Sequence, residues 1–208
     1  MAYFPFFVEL SDKNALIVGG GTVALRKAEK LLPYGVRLTV AAPAFLPEFE
    51  AMREQVTLLH RPYGPDLLRG MLFVIAATDD MSLNRRISAQ CRQRDIPVNV
   101  VDDRKACTFL CPALVQDGPL SVGISTGGAS PLAAIDVKER IRGILPEDYG
   151  AILSWLSAVR EPVLQSIAEE KQRTDFFKWL YRRCLAQGQP PADRTFQDLM
   201  NEYEKEVL

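Results

Sequence analysis

Residues 16–28 read LIVGGGTVALRKA, an unbroken apolar run ending in three glycines, from which an amphipathic stretch carrying Arg26 and Lys27 emerges. The run has the character of a buried strand, the glycines break it, and the spacing afterwards is helical. Gly19, Gly21 and Ala24 fit G-x-G-x-x-A at that junction, the context in which this spacing cradles a dinucleotide. Gly19 permits the tight turn, Gly21 lets backbone approach a pyrophosphate, and Ala24 allows close packing of helix on strand. The helix start adds free N–H groups and the positive end of a dipole.

Four further apolar runs share the character of the first, NALIVG: VRLTVAA, VTLLH, MLFVIAAT and IPVNVV, with helical patterns between most of them. That alternation predicts an α/β, Rossmann-like parallel sheet with crossover helices. Ala24, Ala28, Leu31 and Leu32 fall on one helical face, and Leu83, Ile87 and Cys91 on another whose expected cap is Ser82. The opening MAYFPFFVELSDK is short, lacks a basic start and is interrupted by Pro5, Glu9 and Asp12. It fits neither a signal peptide nor a membrane span, and a first edge segment packed on the core is expected.

After Asp103 the texture changes. CTFLCPALVQDGPLSVGISTGG reads as extended segments turned at Asp117-Gly118-Pro119. From Ser130-Pro131 onward the chain is helical, with Pro131 suited to a first turn and Pro146 ending that helix. Leu156, Val159, Val163 and Ile167 form one apolar stripe, and Phe196, Leu199, Met200, Tyr203 and Val207 another, separated by an exposed connector around 186–194. The residues therefore suggest a nucleotide-type domain to about residue 112, an extended module to about residue 130 and a helical tail.

Formal net charge is −1, so no whole-molecule field argues for nucleic acid or a membrane as partner. The four cysteines form no C-x-x-C pair and the chain has one histidine, His60. Reduced thiols in a cytoplasm are expected, and Cys107 with Cys111 is not expected to hold a metal.

In an open parallel sheet, ligands gather beyond the carboxyl ends of the strands. FVIAATDD brings Thr78, Asp79 and Asp80 there, and VNVVDD brings Asn99, Asp102 and Asp103. A carboxylate beside a cofactor can accept a proton as hydride leaves a substrate. Against that, Asp80 could serve only to cap the following helix and Asp103 only as a solvated turn residue. The second strand ends in TVAAPAF, with neither the acid that takes the ribose of NAD nor an arginine for the phosphate of NADP. Backbone of Pro43 and Ala44 has to serve instead. Arg85, Arg86, Arg104 and Lys105 would suit an acidic substrate if several face the cleft, and STGGASP offers a second helix start able to receive an anion.

Taken together, FPFFVEL, LIVGGGTVALRKAEKLL, FVIAATDD, NVVDD and TFLCPALVQDGPLSVGISTGGASP, in that order to about residue 145, resemble the siroheme synthase amino-terminal region and the stand-alone precorrin-2 dehydrogenases. The resemblance implies an enzyme that uses NAD to oxidise precorrin-2 to sirohydrochlorin, toward siroheme or cobalamin. In some relatives the same site also inserts iron, which makes Fe2+ a second substrate. The family's catalytic aspartate falls on Asp102. Its cofactor contacts fall on Thr22 and Val23 and on Pro43 and Ala44, joined by Gly19, Gly21 and Thr78, while Ser125, Thr126 and Arg104 are assigned to the substrate. The family's dimerisation region covers about 113–140, so the chain is divided into 1–112 for NAD, 113–145 for a homodimer contact and 146–208 for a helical domain. No methyltransferase domain follows, so the full trifunctional enzyme is not expected. The alternative class is a non-catalytic NAD or tetrapyrrole sensor that signals through its helical tail.

Overall fold

The computed structural model describes residues 3–207, with the side chain of Val207 outside the described set, as are Met1 and Ala2 of the opening segment. The chain divides between Cys111 and Pro112 into two compact units.

In the first unit the five apolar runs form β1 (Asn14–Val18), β2 (Arg37–Ala42), β3 (Val56–His60), β4 (Phe73–Ala76) and β5 (Val98–Val100). They pair in parallel in the order β3-β2-β1-β4-β5, a doubly wound sheet with β1 at its centre. Because successive side chains alternate across a strand, Ala15 and Ile17 enter the core on one face while Leu16 and Val18 enter the core on the other. Helix α1 (Thr22–Leu31) buries Ala24 and Ala28 on the first face, and α2 (Met81–Arg92) buries Ile87 and Cys91 on the second. The links on either side of β3 carry only short 3-10 turns, Pro47–Met52 and Pro65–Leu68, each opened by its proline.

Two expectations are corrected here. Helix α2 is capped by Asp80, whose carboxylate accepts from the N–H groups of Ser82 and Leu83; Ser82 instead lies inside the first turn and donates its hydroxyl to the same carboxylate. The opening segment does not pack on the core as an edge. Phe4, Phe6, Phe7 and Val8 are exposed, and among the described residues of the segment only Leu10 joins the apolar cluster. The segment runs into β1, whose two edges are already taken by β2 and β4.

The outer edge of β5 is covered by the chain that follows it, a common protection for an open sheet. Thr108 exchanges hydrogen bonds with Val98, and the Cys107 thiol stands in for a ladder residue, accepting from Val100 N–H at 3.1 Å and lying 3.3 Å from its carbonyl. Burial pushes this thiol above the ordinary cysteine range, which suits a structural sulfur.

The second unit opens with an antiparallel hairpin, β6 (Ala113–Asp117) and β7 (Leu120–Ile124), turned at Gly118-Pro119. Five helices follow: α3 (Pro131–Ile144), α4 (Tyr149–Ala158), α5 (Arg160–Ser166), α6 (Glu170–Gln187) and α7 (Phe196–Val207). Ser130 caps α3 by accepting from Ala133 N–H, with Pro131 in the first turn. The start of α4 is tied to the hairpin: Asp117 accepts from Gly150 N–H at 2.8 Å, and Gly118 lies directly against Gly150. Val163, Ile167, Phe176, Leu180, Leu199 and Tyr203 form the core. The first apolar stripe read from the sequence thus runs across two helices, because the chain changes element at Val159.

Candidate functional site

The strand order reverses between β1 and β4, which in open α/β sheets marks the ligand crevice. The three glycines lie there, and each has a different surrounding. Gly19 has φ +131°, and a Cβ on it would collide with the Ala77 carbonyl at the end of β4. A Cβ on Gly20 would collide with the Ala44 carbonyl beyond β2. At Gly21 a Cβ would meet nothing within 4 Å. The turn is therefore wedged between its neighbours at two positions and open at the third.

Gly21 is also the N-cap of α1, with no side chain to cap it and no acid in the first turn. Thr22 and Val23 stand exposed beside it, and Ala24 is fully buried beneath. Such a turn has room and N–H groups for a pyrophosphate, and nothing negative to repel one.

On the flank beyond β2, Pro43 and Ala44 are exposed, while Leu46 N–H donates to the Gly20 carbonyl at 2.9 Å. Phe45 packs edge-on against His60 and Phe49, fixing that loop. Neither an acid nor a base follows β2 directly, so only backbone is available there for ribose.

On the other flank Thr78 is locked by Asn84 of α2. The Asn84 carbonyl oxygen accepts from the Thr78 hydroxyl at 2.7 Å and from its N–H at 3.2 Å, and the Asn84 amide donates to the Thr78 carbonyl at 2.8 Å. Asn84 is fully buried. One turn on, the Ser88 hydroxyl donates to the Ala106 carbonyl at 2.6 Å. Arg85 pairs with Asp103 at 2.8 Å, and Arg92 donates to the Cys107 carbonyl at 3.1 Å. The polar residues of α2 thus staple both rim loops, the one after β4 and the one after β5.

Asp102 lies in the second of these loops, at the carboxyl end of β5. Its φ is +60°, the left-handed region that Asp tolerates better than most residues. The side chain is exposed and has no hydrogen-bond or ion-pair partner among the described residues. Its neighbours are committed. Asp103 accepts from Arg85 and from Ala106 N–H, and the Arg85 guanidinium holds its carboxyl below the usual carboxylate range. Asp80 is held low likewise by the Ser82 hydroxyl it accepts from. Of these three carboxylates only that of Asp102 is unpaired; Asp79, exposed just beyond β4, likewise has no partner among the described residues. Arg104 places its guanidinium over the Tyr3 ring, 5.9 Å from the centroid.

Ser125 and Thr126 belong to the second unit. The Thr126 hydroxyl is spent inside its own loop, accepting from Ser130 N–H and donating to the Ser130 carbonyl. Ser125 accepts from Gly127 N–H and keeps its own proton to donate. Gly127 and Gly128 both take positive φ, which turns this loop into α3.

Sequence reasoning missed Gly20 and Asn84. The middle glycine occupies an unspecified position of the fingerprint, and its need arises from the Ala44 carbonyl, which no local pattern reveals. Asn84 did leave a signal: with Ser88 it puts two polar residues, four apart, on the stripe that Ile87 and Cys91 mark as buried.

A family model described as putative NAD(P)-binding matches residues 6–113, and one described as sirohaem biosynthesis protein central matches residues 117–143. The siroheme synthase of Chromobacterium violaceum is 38% identical over 197 residues, which is 94% of this chain and 42% of that protein. That of Escherichia coli O139:H28 is 38% identical over 209 residues, 100% of this chain and 44% of the relative. The chain therefore spans less than half the length of these relatives. Among solved structures, SirC, a precorrin-2 dehydrogenase, superimposes with a TM-score of 0.74 at 24% identity, covering 98% of this chain and 100% of that one, a likeness of fold. With the first of the two models covering more than half of its residues, the chain belongs to the putative NAD(P)-binding family.

Proposed function

We propose that this protein catalyses the NAD-dependent oxidation of precorrin-2 to sirohydrochlorin, in a cytoplasm, as a homodimer. The observation that carries the reading is the unpaired Asp102 carboxylate at the end of β5, on the same strand rim as a glycine turn with free space in front of Gly21. The sirohaem-type matches along the chain support the choice of substrate.

The nicotinamide, when bound, supplies the acceptor for the hydride. Thr22 and Val23 hold the pyrophosphate through their N–H groups, helped by the positive end of α1. Pro43 and Ala44 meet the adenine ribose through backbone, and the Thr78 backbone, fixed by Asn84, borders the crevice on the β4 side. Asp102 accepts at a carboxylate oxygen the proton that balances hydride loss from the macrocycle. Arg104 acts as an anchor for a substrate carboxylate; within the second unit Ser125 is a further substrate-binding residue, in a loop that Thr126 shapes. Sirohydrochlorin can in turn give up two pyrrole protons as Fe2+ enters, and the same carboxylate is the group available to take them one at a time, passing the first to solvent before the second.

The dimer has a physical motive in the second unit. A two-stranded hairpin has two open edges and is marginal alone, and Leu132, Ile135 and Ile144 of α3 are exposed beside it in sequence. Light scattering at working concentration is expected to give twice the chain mass, and a monomer contradicts the dimer.

The function is tested by supplying precorrin-2 anaerobically with NAD and following NADH and sirohydrochlorin by absorbance. Steady turnover, faster with NAD than with NADP, is expected. Binding without turnover sinks the enzyme and leaves a sensor.

A further inference from the structure

The helical unit contains a cleft of about 580 Å³ between α5 and α6, whose walls include Arg160, Leu164, Arg173, Phe177, Lys178 and Tyr181. That volume is in the range of small-molecule sites. Helix α6 presents two faces. Phe176, Leu180 and Cys184 make the core face. Arg173, Thr174, Phe177, Lys178 and Tyr181, spaced for a second face, line the cleft, with Phe177 also packed against the core cluster.

That second face joins two aromatic rings to cations, which solvated helix surfaces seldom do. Three basic side chains line the cleft against one acid, Glu170, and Lys178 also pairs at 3.2 Å with Asp175 on its own helix. Arg173 is pinned, its Nη1 donating to the carbonyls of Ile167 and Ala168 at the end of α5. Tyr181 is fixed by a 2.8 Å hydrogen bond with Tyr149. Leu164, 42% exposed, adds an apolar patch opposite the rings. An anion alone has no use for the rings and Leu164, and an apolar ligand alone would leave desolvated cations behind. A flat apolar ring bearing carboxylates satisfies both.

We propose that this cleft seats one edge of a polycarboxylated tetrapyrrole, with Arg160 and Lys178 meeting its carboxylates and Phe177 and Tyr181 its ring. The choice of tetrapyrrole rests on the function proposed above. The site itself lies wholly within the helical unit and uses none of the residues assigned to NAD or to Asp102.

The test uses the full chain and uroporphyrin, a tetrapyrrole with eight carboxylates, titrated while following emission of Trp155 and Trp179. Both tryptophans of the chain are in this unit, and Trp179 adjoins Lys178. The double variant Arg160→Glu, Lys178→Glu changes two exposed side chains and is expected to raise the uroporphyrin Kd about tenfold, as charge reversal at a rim does. Its NAD affinity and thermal midpoint are expected to match the parent. A rise of less than about threefold, or no uroporphyrin binding by the parent chain, overturns the cleft. Absent precorrin-2 turnover with this charge dependence intact overturns the dehydrogenase reading and leaves the cleft standing.

Discussion

Asp102→Ala is expected to lower kcat for precorrin-2 oxidation by a factor of about 10²–10⁴, the usual contribution of a positioned general base, while NAD affinity stays at the parent value. The two effects separate because Asp102 is at the end of β5, whereas the pyrophosphate turn is at the end of β1, held by contacts with Ala77 and Ala44 that do not involve it. Alanine at φ +60° adds a backbone cost of about 1–2 kcal/mol, so a loss of activity through a loosened loop has to be distinguished. Asp102→Asn does that. Asparagine tolerates the left-handed region as aspartate does, keeps the side-chain shape and cannot take up the proton. Equal losses in both variants, with unchanged melting of Asp102→Asn, assign the effect to the carboxylate. Unchanged turnover in Asp102→Asn removes Asp102 from the chemistry.

The second large effect divides the adjacent glycines. At Gly20 a methyl group would enter the Ala44 carbonyl, a backbone atom that cannot swing aside, so Gly20→Ala is expected to cost about 1–3 kcal/mol of stability by overpacking. At Gly21 the backbone is extended, φ −91° and ψ −173°, and the methyl group would meet no protein atom. Gly21→Ala is therefore expected to lose only the cap difference, about 0.5–1 kcal/mol, because alanine is a poorer N-cap than glycine. Its NAD affinity is nevertheless expected to fall about tenfold or more, a loss of about 1.4 kcal/mol, since the methyl group occupies the space kept for the pyrophosphate. Thermal melts with and without NAD measure both. A Gly21→Ala protein that binds NAD normally means the open space holds something else.

These cases also mark what the sequence could reveal. The sheet was legible because β1, β4 and β5 are buried on both faces and read as continuous apolar runs, whereas β3 at the edge exposes Thr57 and His60. The order of its strands, β3-β2-β1-β4-β5, was not legible in the runs and came only with their pairing. Contacts between remote segments left weaker traces. Whether Ser82 or Asp80 caps α2 depends on where the first turn begins, and the tie between Thr78 and Asn84 needs both strand and helix in place. Only the family resemblance separated Asp102 from Asp103 in the sequence, since the local pattern treats the two alike. In the structure Arg85 claims the second, so the first is free. The exposure of Phe4, Phe6 and Phe7 was equally hidden, because an apolar segment beside the central strand looks like core until both edges of that strand are seen to be occupied.

A nicotinamide is proposed to lie along the strand rim within reach of Asp102. The structure of the NAD complex, determined by crystallography, tests it most directly. The pyrophosphate is expected over the N–H groups of Thr22 and Val23, the ribose against Pro43 and Ala44, and the nicotinamide on the β4–β5 side facing the Asp102 carboxylate. A nucleotide bound elsewhere, or one seated on the glycine turn with Asp102 directed away from its ring, contradicts it.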